Sequence, residues 1–294
     1  MQKSSLSGYK RDITSQNGED GIIAEIFSRI SPTNKICIEF GAWDGKHLSN
    51  VWNLWHNEGW GAVLIEADSS KHVALKESTK AFPGVHTMNR FVEASGENAL
   101  DSLLQSKDVP VNVDLLSIDI DGNDYYVFES LKKYKPRLII VEYNPTVPPY
   151  YDVVQGNNEY FGASASALLK LAHKKGYKLA AITDTNLFLV VAEEFDKLGI
   201  PEVDLIAEFP QRCLVYVMTT YDGQAMLSGD LPYRYRMHTY ENEVRNGFRL
   251  HHRLVNFLMR FFDTKTKKIP VLNSDIDHVP VKIFKDEAFK SPKQ

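Results

Sequence analysis

Hydrophobic positions along the chain fall into short apolar runs separated by amphipathic stretches. Ile36–Phe40, Ala62–Glu66, Val113–Ile118 and Arg137–Tyr143 read as strands, and Val85–Met88 as a weaker one. The runs at 113–118 and 137–143 are apolar almost throughout, as strands covered on both faces must be. Between the runs the spacing turns helical. Asn17 can cap a helix over Glu19–Ile30, with Asp20 near its positive end and Ile22, Ile23, Ile26, Phe27 and Ile30 on one face. Leu48–Glu58 reads as a helix stopped by Gly59, followed by helices over Ser69–Lys80, Ser95–Ser106 and Asp124–Tyr134. Strands alternating with helices predict right-handed crossovers and an α/β fold with an open, mostly parallel sheet.

The pattern then changes. A helix starts at Ser164 or Ser166 and ends near Gly176. Two apolar runs follow, Tyr177–Thr183 and Leu187–Ala192, with only Asp184, Thr185 and Asn186 between them. That gap is too short for a parallel crossover, so the pair predicts an antiparallel hairpin closing the sheet. Beyond about residue 194 the regularity fades. Glu208–Thr220 can hold one more strand, and Tyr240–Phe262 reads as a long helix with four arginines among its apolar residues. That helix would pack on the domain or on a second subunit, which would make the protein a homo-oligomer. A membrane surface or an acidic partner is the other reading. The domain division expected is a catalytic domain over 1–195 and a C-terminal extension over 196–294, made of a strand, the long helix and a polar tail.

Composition narrows the function classes. The chain has 294 residues and a net charge of −4, so nothing in its balance asks for nucleic acid. Its two cysteines, Cys37 and Cys213, lie in separate apolar runs. They make neither a disulfide framework nor a zinc site, and a reducing cytoplasm is the expected location. Met1–Arg11 is polar and carries no apolar signal core. No apolar run approaches the roughly 20 residues of a membrane-spanning helix.

The first chemical signal is the turn after the first strand, Glu39-Phe40-Gly41-Ala42-Trp43-Asp44-Gly45. Gly41 permits a sharp backbone turn, and Gly45 permits close approach of a ligand or a helix. A dinucleotide site would want G-x-G-x-x-G. Here Glu39 takes the place of the first glycine, and its carboxylate would repel a pyrophosphate. It suits a phosphate-free ligand with a cationic amino group, such as S-adenosylmethionine. Glu66, at the end of the second strand, can accept both hydroxyls of a ribose diol.

The second signal is a set of carboxylates. Asp119 and Asp121 follow the fourth strand, and Glu142 and Asn144 end the fifth. In a parallel sheet these positions converge on one rim of the ligand cleft. Three readings fit them. Asp119, Asp121 and Glu142 could hold magnesium or manganese. They could contact substrate hydroxyls or abstract a proton, which makes them the candidate catalytic residues. Or Asp119 or Asp121 could cap the next helix or fix its turn. Tyr143, Asn144, Tyr160 and Ser164 are candidate acceptor-binding residues, among rings and hydroxyls that suit a sugar face. A proline-rich loop packed by its own aromatics, Tyr150, Tyr151 and Phe161 included, accounts for the same pattern. His47, beside the glycine turn, reads as a hydrogen-bonding residue rather than a base.

Taken together, these residues resemble the FkbM-type methyltransferase family. The similar pieces are Ser15–Gly21, Ile38–Gly45, Leu48–Asn50, Gly59–Gly61 leading to Ile65–Ala67, Leu115–Gly122, Val141-Glu142 and Gly162–Ser164. The resemblance implies a Rossmann-like class I methyltransferase fold, a seven-stranded sheet ending in the antiparallel hairpin. It implies S-adenosylmethionine as cofactor and O-methylation of a sugar, glycan or related natural product. Carried onto matching positions, Gln16, Glu39, Gly41, Ala42, Gly45, Asn50, Ala67 and Asp119 would line the cofactor and Glu66 would hold its ribose. Asp121-Gly122-Asn123-Asp124 departs from the Glu-Gly pattern common after this strand. Two rival functions are a metal-dependent glycosyltransferase using Asp119 and Asp121, and a non-catalytic cofactor-binding protein.

Overall fold

The computed structural model describes residues 5–107, 109–120, 122–156, 161–219, 221, 225–227 and 282–284. Eight strands and six helices carry the site: α1 (Glu19–Ile30), β1 (Ile36–Phe40), α2 (Trp52–Asn57), β2 (Gly61–Glu66), α3 (Ser69–Thr79), β3 (Val85–Asn89), α4 (Leu100–Gln105), β4 (Leu115–Ile118), α5 (Asp124–Ser130), β5 (Leu138–Glu142), β6 (Asp152–Val154), α6 (Ala165–Lys174), β7 (Tyr177–Ile182) and β8 (Asn186–Val191). The main sheet has seven strands in the order β3-β2-β1-β4-β5-β8-β7. β1 to β5 are parallel, while β8 runs antiparallel to both β5 and β7. This is the expected seven-stranded, mostly parallel sheet, with the antiparallel hairpin at its edge. The core runs through both faces: Ile38, Leu64, Leu116, Ile140 and Phe188 are fully buried.

Several local boundaries differ from those read in the sequence. The cap of α1 is Gly18 in a left-handed conformation, not Asn17, whose amide donates to Thr185 Oγ1 at 3.2 Å. α2 starts four residues later than expected. Leu48 takes a left-handed φ of 54°, and Ser49 Oγ accepts the N–H groups of Val51 and Trp52 at 3.2 and 3.0 Å. The helix predicted from Ser95 begins only at Leu100, after Ala99. β4 starts at Leu115 because Asp114 turns its carboxylate to the N–H groups of Thr33, Asn34 and Lys35.

Backbone contacts divide the chain into two units, residues 1–210 with 280–294, and residues 211–279. In the first unit a strand at Lys282–Phe284 pairs antiparallel with β6. In the second, Val217–Thr219 pairs antiparallel with Ala225–Leu227, inside the region where one more strand was expected. The helix predicted over 240–262, and the oligomer contact it would make, lie outside the described residues. Among the described residues no helix is long and apolar enough to cross a membrane.

Candidate functional site

Strand register brings the chemistry together. One row across the sheet is apolar throughout: Met88, Ile65, Phe40, Ile118, Val141 and Leu187 are paired in turn across β3, β2, β1, β4, β5 and β8. The next row, toward the carboxyl ends of the parallel strands, is polar or glycine at every place. It runs Asn89, Glu66, Gly41, Asp119, Glu142 and Asn186, with Glu66 paired to Asn89 and Glu142 to Asn186. Gly41 and Asp119 stand one residue past the paired Phe40 and Ile118. Ligands of open α/β sheets bind beyond this edge.

Gly41 has a φ of +77°, and a Cβ on it would fall on the carbonyl oxygen of Asp119, far inside contact distance. The glycine therefore serves the close approach of β1 and β4 as well as the left-handed turn. Its outward side is exposed. Gly45 has a φ of +85°, and its close neighbour is the side chain of Leu75 on α3, 2.9 Å from an added Cβ. The close approach at Gly45 is thus that of a helix. Ala42 is buried, with its N–H on Ile65 O at 3.1 Å.

Glu39 is buried and reaches back toward the start of α2. Its Oε2 accepts the hydroxyl of Ser49 at 2.6 Å, and its Oε1 accepts the N–H of Asn50 at 2.9 Å. Ser49 Oγ already accepts two backbone N–H groups, so its one proton must go to Glu39. Both donors to Glu39 are neutral. Burial raises its pKa to about 7 against the pull of these two hydrogen bonds. The Asn50 amide donates to Ser117 Oγ on β4 at 3.1 Å, which ties the same loop to a third element.

Glu66 closes the loop from the other side. Its Oε2 accepts Trp43 N–H at 2.8 Å and its Oε1 accepts Asp68 N–H at 2.7 Å. A carboxylate has about four lone-pair sites, so each oxygen keeps capacity for a ligand hydroxyl. Ala67 is exposed beside it. Gln16 is exposed on a loop held by two buried carboxylates. Asp20 accepts the N–H groups of Ile13, Thr14 and Ser15, and Glu19 accepts Asn17 N–H and the hydroxyl of Thr183. Thr14 Oγ1 donates to Ser49 O at 3.0 Å, which joins this loop to the glycine turn.

The acceptor side departs further from expectation. Asp124 fixes the turn before α5: its two oxygens accept Ile120 N–H at 2.9 Å and Gly122 N–H at 3.0 Å. The cap position of α5 is Asn123. Asp121 and Tyr160 lie outside the described residues. Tyr143 is a core residue, not a rim one; it is 2 % exposed and its hydroxyl donates to Thr183 O at 2.8 Å. Ser164 is fully buried and caps α6, accepting Ala167 N–H at 3.2 Å and Val153 N–H at 3.0 Å. Asn144 shapes its own loop, with Oδ1 on Thr146 N–H and its amide on Phe161 O. Tyr150 and Tyr151 remain as exposed rings on this side. Among the described residues no group of three His, Cys, Asp or Glu side chains is placed to hold a metal ion.

Two residues of the site escaped the sequence reading. Ser49 sits three residues before Trp52, a capping signal hidden behind the apolar Leu48. Trp43 lies inside the glycine turn itself, its N–H held by Glu66.

Residues 77–179 match the model of the Methyltransferase FkbM domain. No curated protein matches the chain in sequence. Among solved structures, the CMeT domain of the citrinin polyketide synthase is 15 % identical, with a TM-score of 0.41 over 59 % of this chain and 51 % of that one, about half its length. The N-terminal domain of EvdMO1, with SAH bound, is 11 % identical, with a TM-score of 0.40 over 60 % of this chain and 81 % of that one. The glycopeptide N-methyltransferase MtfA is 14 % identical, with a TM-score of 0.35 over 57 % of this chain and 94 % of that one.

Proposed function

We propose that the protein is an S-adenosylmethionine-dependent methyltransferase that acts on a hydroxyl of a sugar, glycan or related natural product. The observation that carries this reading is the polar row at the carboxyl edge of the sheet, with Gly41 open at its centre. Glu39 adds to it: it is a buried carboxylate to which no ion pair is made among the described residues. A ligand with a cationic amino group and no phosphate complements that site. The residues we assign to the ligand are Gln16, Glu39, Gly41, Ala42, Asn50, Glu66, Ala67 and Asp119, with Glu66 on the ribose diol.

When bound, S-adenosylmethionine supplies an electrophilic methyl group. The chain's own part is to hold the acceptor hydroxyl in line with that methyl, and positioning of this kind is worth several kcal/mol. Asp119 and Glu142, adjacent in the polar row, are the assigned groups for taking the hydroxyl proton, a contribution on the order of 10²–10⁴ in rate. The exposed rings of Tyr150 and Tyr151 offer flat faces with hydroxyl rims to a sugar. Of the three predicted cation ligands, Asp119 and Glu142 stand side by side in the polar row, while Asp121 lies outside the described residues.

Calorimetry with S-adenosylhomocysteine tests the core of the reading. Binding is expected; no binding of either methyl donor or product, or binding of a nucleotide sugar with manganese instead, would overturn it. Glu142→Gln should keep that binding and lose transfer of a labelled methyl group to a panel of sugar and polyketide hydroxyls. Full transfer by the variant would remove Glu142 from the chemistry. Gly41→Val is not an informative probe here, because its side chain would collide with Asp119 O before meeting any ligand.

A further inference from the structure

Trp43 occupies a place where a large side chain is costly. Its φ is +49°, in the left-handed region that β-carbon sterics disfavour for bulky residues. Yet the loop around it leaves little freedom to relax. Gly45 N–H donates to Ala42 O at 2.7 Å, Asp44 Oδ1 accepts the N–H groups of Lys46 and His47, and Ser78 Oγ donates to Asp44 O. The Trp43 N–H itself is held by Glu66. The result is a rigid turn that presents an indole ring to solvent, 44 % exposed. Lys71 Nζ, the flexible end of a side chain on α3, lies 3.7 Å from the ring centroid, and the His47 ring lies 4.7 Å away.

We infer that Trp43 is the stacking residue for the base of the bound nucleoside. The inference rests on the proposed function, in which Glu66 takes the ribose hydroxyls. Trp43 is hydrogen-bonded through its backbone to that same carboxylate. The base is attached to the ribose carbon next to the diol, so a ring anchored at Glu66 is within reach of it. The exposed indole offers a π-face, and Lys71 can withdraw from it without disturbing the backbone. The left-handed conformation aims the side chain outward, where the trans-sheet row provides no aromatic of its own.

The test uses the intact protein and two substitutions, Trp43→Asn and Trp43→Phe. Both keep the backbone N–H on Glu66, so the ribose contact is unchanged and only the ring differs. Asn is also the side chain that best tolerates a left-handed backbone. Titration with S-adenosylhomocysteine and with adenosine should show Trp43→Asn weaker by on the order of tenfold for both ligands, with Trp43→Phe near wild type. Equal binding by wild type and Trp43→Asn, or equal losses in the Asn and Phe variants, would overturn the assignment. If wild type binds neither ligand, the proposed function fails instead. Trp43→Leu, which keeps apolar bulk without a π-face, replaces the Asn variant if thermal unfolding shows the latter unfolded.

Discussion

The two ends of the sheet handle buried charge in opposite ways. At the amino end Asp114, fully buried, accepts three backbone N–H groups and an ion pair from Arg137 Nη1 at 2.6 Å. Arg137 also donates to the carbonyls of Ser31 and Ile30 and pairs with Glu194. The buried charges of Asp114 and Arg137 are thus paired with each other and with Glu194. At the carboxyl end Glu19, Asp20, Glu39 and Glu66 are also buried, but only neutral donors reach them among the described residues. Such donors keep the carboxylates hydrogen-bonded without cancelling their charge. One end pairs its buried charge internally; the other holds buried carboxylates with only neutral donors, the kind of site where pKa values shift.

The comparison breaks most visibly at Arg137. Arg137→Met should leave Asp114 buried without its cation, at a cost of about 3–5 kcal/mol in chemical denaturation. Binding of S-adenosylhomocysteine at the far end should be unchanged wherever the variant is folded. A loss under 1 kcal/mol would show that the amino end is not held by its charges.

Glu39 is the matching probe at the other end, and its sign is opposite to that of a salt-bridged carboxylate. Its folded pKa, about 7, lies above the ordinary 4.5, so between those values the folded protein holds a proton that the unfolded chain has lost. Its contribution is therefore fully present below about pH 4.5 and is lost as pH rises through 7, by about 3 kcal/mol in all. Glu39→Gln should remove that fall. Thermal unfolding of both proteins between pH 4.5 and 8 gives the difference directly. Identical pH profiles would mean that Glu39 is not strained by its burial.

Much of this frame was legible in the sequence, for a simple reason. Strands buried on both faces must be apolar throughout, so β1, β2, β4 and β5 stand out as runs, and a three-residue gap before Leu187 leaves only a hairpin. The glycine turn and Glu66 were legible because they answer to short-range rules. What stayed hidden depends on partners far along the chain. Nothing near Tyr143 shows that its hydroxyl is spent on Thr183, 40 residues on. Nothing near Gly45 shows that its neighbour is Leu75 rather than a ligand. Among the acidic residues after β4, composition could not say that Asp124 turns back to hold the loop through Ile120 N–H and Gly122 N–H.

Ser49 offers the smallest effect and the finest test, because it joins both roles of the carboxyl end. Its hydroxyl oxygen accepts the N–H groups of Val51 and Trp52 and so closes the entry to α2 from outside its cap residue Val51, and its proton goes to Glu39. Ser49→Ala should cost about 0.5–2 kcal/mol, the range for losing a side-chain acceptor at a helix start. The loss should not be uniform in pH. The Ser49 hydrogen bond lowers the Glu39 pKa against burial, so removing it lets that pKa rise further. A higher folded pKa takes more stability away above pH 7 and nothing below 4.5, where the carboxyl is protonated in both states. Ser49→Ala should therefore be more damaging at pH 8 than at pH 5, and the Ser49→Ala/Glu39→Gln double variant should lose that difference while keeping the cost at the helix start. A loss equal at both pH values would reduce Ser49 to a helix-start acceptor and detach Glu39 from it.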